Sequence, residues 1–176
     1  MRCTGPPGGK GDIMSVGDGA ATAYRTDRDR DWPSIRQFSV FLENRVGQLL
    51  DVVRRFQKTK VRIVALSIID SADCAIVRLV LSHPEQGREI LERAGLAISE
   101  SDLVAVELPA VEQPLLEICT ALLQAEINIH YAYPMMIHPH GRAAIALHVD
   151  NHEGAVETLK RINYQVLTEA DLTSSF

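Results

Sequence analysis

The chain has 176 residues, 46% of them hydrophobic and 23% charged, with a formal net charge of −5. Such a chain can bury a core in one or two domains, and its acidic balance argues against attraction to nucleic acid or an anionic membrane surface. No apolar run approaches the ~18 residues of a membrane-spanning helix, and the first ten residues lack the apolar centre of a secretory signal.

Residues 1–33 hold six of the eleven glycines in their first twenty positions and an uninterrupted polar run at 25–31. They cannot bury enough surface to offset the entropy of ordering them, so they read as a disordered tail. Its five basic and five acidic residues cancel, which leaves the net charge on the body. The glycine-rich stretch at 5–11 lacks the glycine spacing and the Ser/Thr of a phosphate-binding loop, so no nucleotide site is expected there. Cys3, Cys74 and Cys119 are far apart and odd in number. They predict neither a disulfide framework nor a zinc site and fit a reducing, cytoplasmic setting.

The body begins with a strand over 36–42, with Phe38, Val40 and Leu42 on one face. A polar turn at 43–47 ends in Gly47. Leu49, Leu50, Val52, Val53 and Phe56 then recur at helical spacing. Strands follow over 61–69 and 74–81, joined by a turn at 71–73. Ser82 and Glu85 have the spacing of a capping box at the start of the next helix. Ile90, Leu91 and Ala94 line that helix, and Gly95 supplies a left-handed closing residue. A short strand at 96–99 completes a β-α-β-β-α-β order.

The same order starts again at Leu103. An offset of 66 places Val40 and Leu42 on Val106 and Leu108, and Leu49 and Val52 on Leu115 and Ile118. An offset of 68 places Ser82 and Glu85 on Asp150 and Glu153, and Gly95 on Asn163. The unit endings also match, with 99–103 falling against 168–172. The reading is therefore α+β, with two ferredoxin-like βαββαβ units at 34–101 and 102–172 and a short C-terminal tail at 173–176. Units this small are expected to pack together. Their antiparallel sheets are expected to join side by side, as one eight-stranded sheet with the helices on one face.

The residues Phe38-Ser39-Val40-Phe41-Leu42-Glu43-Asn44-Arg45-Val46-Gly47-Gln48-Leu49 resemble the first strand and loop of ACT domains, small ligand-sensing modules in enzymes of amino-acid metabolism. The Leu-Glu-Asn-x-x-Gly-x-Leu run is most similar to the regulatory small subunit of acetolactate synthase, and the passage at 125–129 is also similar to it. The resemblance covers about 36–172. It implies a regulatory protein rather than an enzyme, with no catalytic residues and no cofactor. It further implies a small aliphatic or branched-chain amino-acid effector and a catalytic enzyme subunit as partner, while the small units and their exposed sheet edges favour a homodimer.

The implied ligand contacts are Asn44, Arg45, Val46, Gly47, Gln48 and Leu49. Gly47 would let backbone approach a ligand, and the opening N–H groups of the helix suit a carboxylate. In the second unit Gln113 stands at the position of Gly47 and Ala110 at that of Asn44, so one complete loop per chain is expected. The strand over 127–135 would line the effector's side chain with Tyr131, Tyr133 and Met135. His138 and His140 read as a polar hairpin tip rather than, with His130 and His148, a metal site. Cys74, in its apolar strand, and Cys119, on a stripe with Leu115, Leu116, Leu122 and Leu123, read as buried core residues.

Overall fold

The structure is a computed structural model that describes residues 32–70 and 74–174. The tail read over 1–33 lies outside the described residues except at Trp32 and Pro33, and the turn expected at 71–73 lies outside them entirely. Strand β1 (Ile35–Glu43) buries Phe38, Val40 and Leu42 on one face, as the alternation requires. Helix α1 (Gln48–Arg55) follows Gly47, and strands β2 (Ile63–Asp70) and β3 (Cys74–Leu81) come next. Helix α2 (Pro84–Arg93) leads into a long strand, β4 (Ala97–Glu107). Then come α3 (Pro114–Gln124), β5 (Ile129–Pro134), β6 (Ala144–Val149), α4 (His152–Arg161), β7 (Val166–Leu167) and α5 (Glu169–Ser174).

Among the described residues, seven strands form one sheet in the order β2-β3-β1-β4-β6-β5, with β7 added on β4 and every pairing antiparallel. Strand β4 serves both units. Its first part, from Ala97 to Leu103, pairs with β1, and its second part, from Val104 to Glu107, pairs with β6. The α+β fold with sheets joined side by side is therefore observed. Seven strands replace the expected eight because the end of one unit and the start of the next are a single strand.

Helices α1 to α4 share one face of the sheet. Val52, Phe56 and Leu91 pack on Phe38, Val40, Val77 and Leu79. Ile118, Leu122, Val156 and Leu159 pack on Val104, Val106 and Leu147. At about 1.5–3 kcal/mol for each fully buried side chain of this size, these two layers supply most of the driving force. The opposite face is also apolar where the units meet: Ile35, Val80, Leu103, Tyr133, Met135, Ala146, Leu167 and Leu172 form one cluster. The sheet curls around that cluster until its outermost strands touch. Ala65 bridges Met135, and the Met136 N–H donates to the Val64 carbonyl at 2.8 Å. The curl covers two edges that would otherwise be open to pairing with other chains.

Several local expectations change in the folded chain. The Ser82–Glu85 capping box does not form. The residue capping α2 is His83, while the Ser82 hydroxyl accepts from the Arg62 N–H at 2.9 Å and Glu85 accepts from Arg36 at 2.7 Å. In the second unit the cap moves on by one residue. Asn151 accepts from the Gly154 N–H at 3.0 Å, and Asp150 instead accepts from the Asn128 N–H at 3.0 Å. Helix α3 buries Ile118, Ala121 and Leu122, so Leu115, Leu116, Leu123 and Cys119 are exposed rather than buried. Cys74, at the first position of β3, is exposed as well.

Candidate functional site

The loop between β1 and α1 lies at one end of the sheet. Gly47 takes φ +94°, a left-handed conformation that favours glycine, and its carbonyl accepts from the Asp51 N–H at 3.0 Å. A Cβ at Gly47 would meet nothing within 4 Å, so the backbone angle rather than crowding demands glycine. Asn44 Nδ2 donates to Asp70 Oδ1 at 2.7 Å and ties the loop to the end of β2. Arg45 pairs with Glu43 at 2.8 Å, and both are exposed. Val46 projects fully into solvent, while Gln48 and Leu49 are half-buried as α1 begins. No side chain caps α1: the Gln48 N–H donates to the Arg45 carbonyl at 3.3 Å, and the N–H groups that follow it have no side-chain acceptor among the described residues.

The corresponding loop of the second unit is shaped differently. Gln113, at the start of α3, has φ −136° instead of a left-handed angle. A cleft of about 490 Å³ beside it is lined by Glu107, Pro109, His140, Arg142 and Tyr164. His140 Nδ1 lies 2.5 Å from Glu107 Oε1, and His140 Nε2 lies 3.9 Å from Asp171 Oδ1. The hydrogen bond to Glu107 raises the His140 pKa above its ordinary value, with the Asp171 charge adding to the effect. Glu117 accepts from the Tyr164 hydroxyl at 2.7 Å, and burial and this bond push that hydroxyl up to about 12.

Tyr131, Tyr133 and Met135 face the inner side of the curled sheet, away from the loop. Tyr133 and Met135 are buried in the shared cluster. The Tyr133 hydroxyl donates to Gln37 Oε1 at 2.7 Å, and Gln37 Nε2 donates to the Tyr131 hydroxyl at 2.9 Å and to Ser101 Oγ at 2.8 Å. Burial pushes the Tyr133 hydroxyl well above its usual pKa. Asn44 lies seven residues beyond Gln37, which at ~3.3 Å per residue of strand is roughly 23 Å. One chain does not bring the loop residues together with the three strand residues.

Sequence reasoning missed Gln37 and Arg78, whose guanidinium sits 3.5 Å from the Tyr131 ring centroid. Arg78, the one charged residue in an otherwise apolar β3, was the available signal, whereas Gln37 lies on the face of β1 opposite Phe38 and Val40 and carried none. The histidines do not converge. His130 and His148 have ring centroids 5.2 Å apart, His140 belongs to the Glu107 contact, and the described residues hold no cluster of three metal-ligating side chains. No helix among them is long and apolar enough to cross a membrane.

Comparison with known proteins places this geometry. A search of curated proteins finds no match. Among solved structures, protein BT0572 from Bacteroides thetaiotaomicron is 27% identical with a TM-score of 0.72, covering 80% of this chain and 96% of its own. The regulatory subunit of aspartate kinase from Thermus thermophilus is 11% identical with a TM-score of 0.52, covering 74% of this chain and 93% of its own, a likeness of fold. Residues 33–175 match the ACT domain pair family, to which this chain belongs.

Proposed function

We propose that this protein is a non-catalytic regulator. It would bind a small aliphatic or branched-chain amino acid through Asn44, Arg45, Val46, Gly47, Gln48 and Leu49 and so control an amino-acid biosynthetic enzyme. Acetolactate synthase of branched-chain synthesis is the leading target, on the wording of the loop. The observation that carries the reading is the exposed, left-handed Gly47 loop opening α1 in a member of the ACT domain pair family. The aspartate kinase regulatory subunit is built on the same fold. The reading takes 34–101 and 102–172 as the two units, with their boundary inside β4.

The loop is too exposed to enclose a ligand by itself. A second copy of the chain would complete the site, which makes the working form a homodimer. Control would then be linkage: an effector that binds one arrangement of the dimer better shifts the regulated state by its differential affinity. The runner-up is a ligand-free dimerisation module, favoured by the exposed Leu116 and Leu123 of α3, 62% and 76% accessible.

A thermal-shift panel of the full chain against the twenty amino acids separates the two. A ligand at about 100 times its Kd adds about 2.7 kcal/mol to the folded state, a shift of several degrees for a body this size. One aliphatic hit is expected. Gly47→Val should abolish that hit while losing only about 1–2 kcal/mol to backbone strain. A flat panel would overturn the reading in favour of the scaffold.

A further inference from the structure

On the inner face of the sheet, four strands set one cation and three hydroxyls in a single row. Ser67 is the cross-strand partner of Arg78, Arg78 of Ser39, and Ser39 of Ser99. Directly paired residues share a face, about 4.5–5.5 Å apart, so the row runs across β2, β3, β1 and β4 in turn. The next row towards the molecule's centre is Ala65, Val80, Gln37 and Ser101, and the next row outwards is Ile69, Ile76, Phe41 and Ala97. None of these twelve positions carries a carboxylate.

Arg78 is half-buried and, among the described residues, forms no ion pair. It lies instead on the face of Tyr131, its carbon 3.5 Å from the ring centroid. The other side of that aromatic wall is His148, stacked on Tyr131 at 4.7 Å and 8°, with a buried Nδ1 that has no hydrogen-bond partner among the described residues. Gln37 is fully buried and holds Tyr131, Tyr133 and Ser101 in place by hydrogen bonds of 2.7–2.9 Å. The polar row is therefore braced from within and open outwards, where Phe41 and Ile69 are 44% and 38% exposed.

We propose that this row is a second binding site, on the sheet face and separate from the Gly47 loop, for a small carboxylic acid with a hydrocarbon arm. The guanidinium offers a planar fork of donors that matches a carboxylate. The hydroxyls of Ser39 and Ser67, the direct cross-strand partners of Arg78, add donors on either side of it, with Ser99 one strand further on, and Phe41, Ile69 and Ile76 take the hydrocarbon. None of the twelve positions supplies a carboxylate to compensate an ammonium group. The site therefore selects simple, hydroxy or oxo acids over amino acids, the opposite preference from the one proposed for the loop.

Calorimetric titration of the full chain with 4-methylpentanoate, 4-methylpentanamide and leucine tests the site. The acid is expected to bind at least tenfold more tightly than the amide. Arg78→Gln should lose at least tenfold for the acid, Arg78→Lys less, and Gly47→Val nothing. If Arg78→Gln fails to fold by circular dichroism, Ser99→Asp tests the same point. That substitution sets a like charge at the exposed end of the row, and it too should weaken the acid at least tenfold. Leucine binding, if present, should survive Arg78→Gln and be lost in Gly47→Val, so the two sites fail independently. The proposal is overturned if the acid does not bind, if the amide binds equally well, if neither Arg78→Gln nor Ser99→Asp weakens it, or if Gly47→Val abolishes it.

Discussion

At the residue scale, the buried polar groups have the largest consequences. Gln37 is fully buried at the meeting of the two units, and its Oε1 accepts from the Tyr133 hydroxyl. Tyr133→Phe removes the donor and leaves the acceptor buried. The expected cost is about 1–3 kcal/mol, read as a lower urea midpoint at unchanged slope. His140 behaves differently because it is exposed. Its pKa is raised chiefly by the hydrogen bond to Glu107, so the favourable charge is fully present below the ordinary histidine value. That contribution disappears as pH rises through the raised folded value. An NMR titration of the His140 ring should show a midpoint above that of a free histidine, and Glu107→Gln should return it. An unchanged midpoint in that variant would rule out the carboxylate as the cause.

At the element scale, two similar stretches fold differently. Ser99-Glu100-Ser101-Asp102-Leu103 is the middle of β4, whereas Thr168-Glu169-Ala170-Asp171-Leu172 caps and enters α5. Asp171 accepts from the Thr168 N–H at 2.7 Å and from its hydroxyl at 2.8 Å, a local start to a helix. In the first stretch, pairing of 101–103 with Ile35, Arg36 and Gln37 satisfies the backbone instead. Asp171→Ala should cost about 1 kcal/mol, as lost caps do. It should also speed hydrogen exchange at 169–174 ahead of the rest of the body, because Leu172 anchors α5 in the inner cluster. Uniform protection across the chain would show that packing alone holds α5. Arg36 reinforces the same junction, bonding Glu85 of α2 at 2.7 Å and Glu169 of α5 at 3.4 Å.

At the scale of the whole molecule, the units are mechanically one. Strand β4 belongs to both, and the inner cluster takes residues from β1 to β7 and from α5. A cut within β4 would expose the apolar inner face of each half. Calorimetry of the intact chain should therefore give one transition with equal calorimetric and van't Hoff enthalpies. Two resolved transitions would mean that the inner cluster does not couple the units.

Local signals in the sequence determined a good deal. The twofold β-α-β-β-α-β order was legible from apolar periodicity. So were the left-handed ends at Gly95 and Asn163, with φ +70° and +61°. Each depends on residues a few positions apart. Only the tertiary structure decided the rest. Helix α3 is apolar nearly all round, so periodicity could not choose its buried face, and packing beside α4 turned Ile118 and Leu122 inwards. The continuity of β4, the meeting of β2 with β5, and the separation of Tyr131 and Tyr133 from the Gly47 loop depend on register between strands far apart in the chain. An apolar pattern records which faces must be covered. What covers them is settled by long-range pairing, and that pairing set Arg78 and three serines in one row.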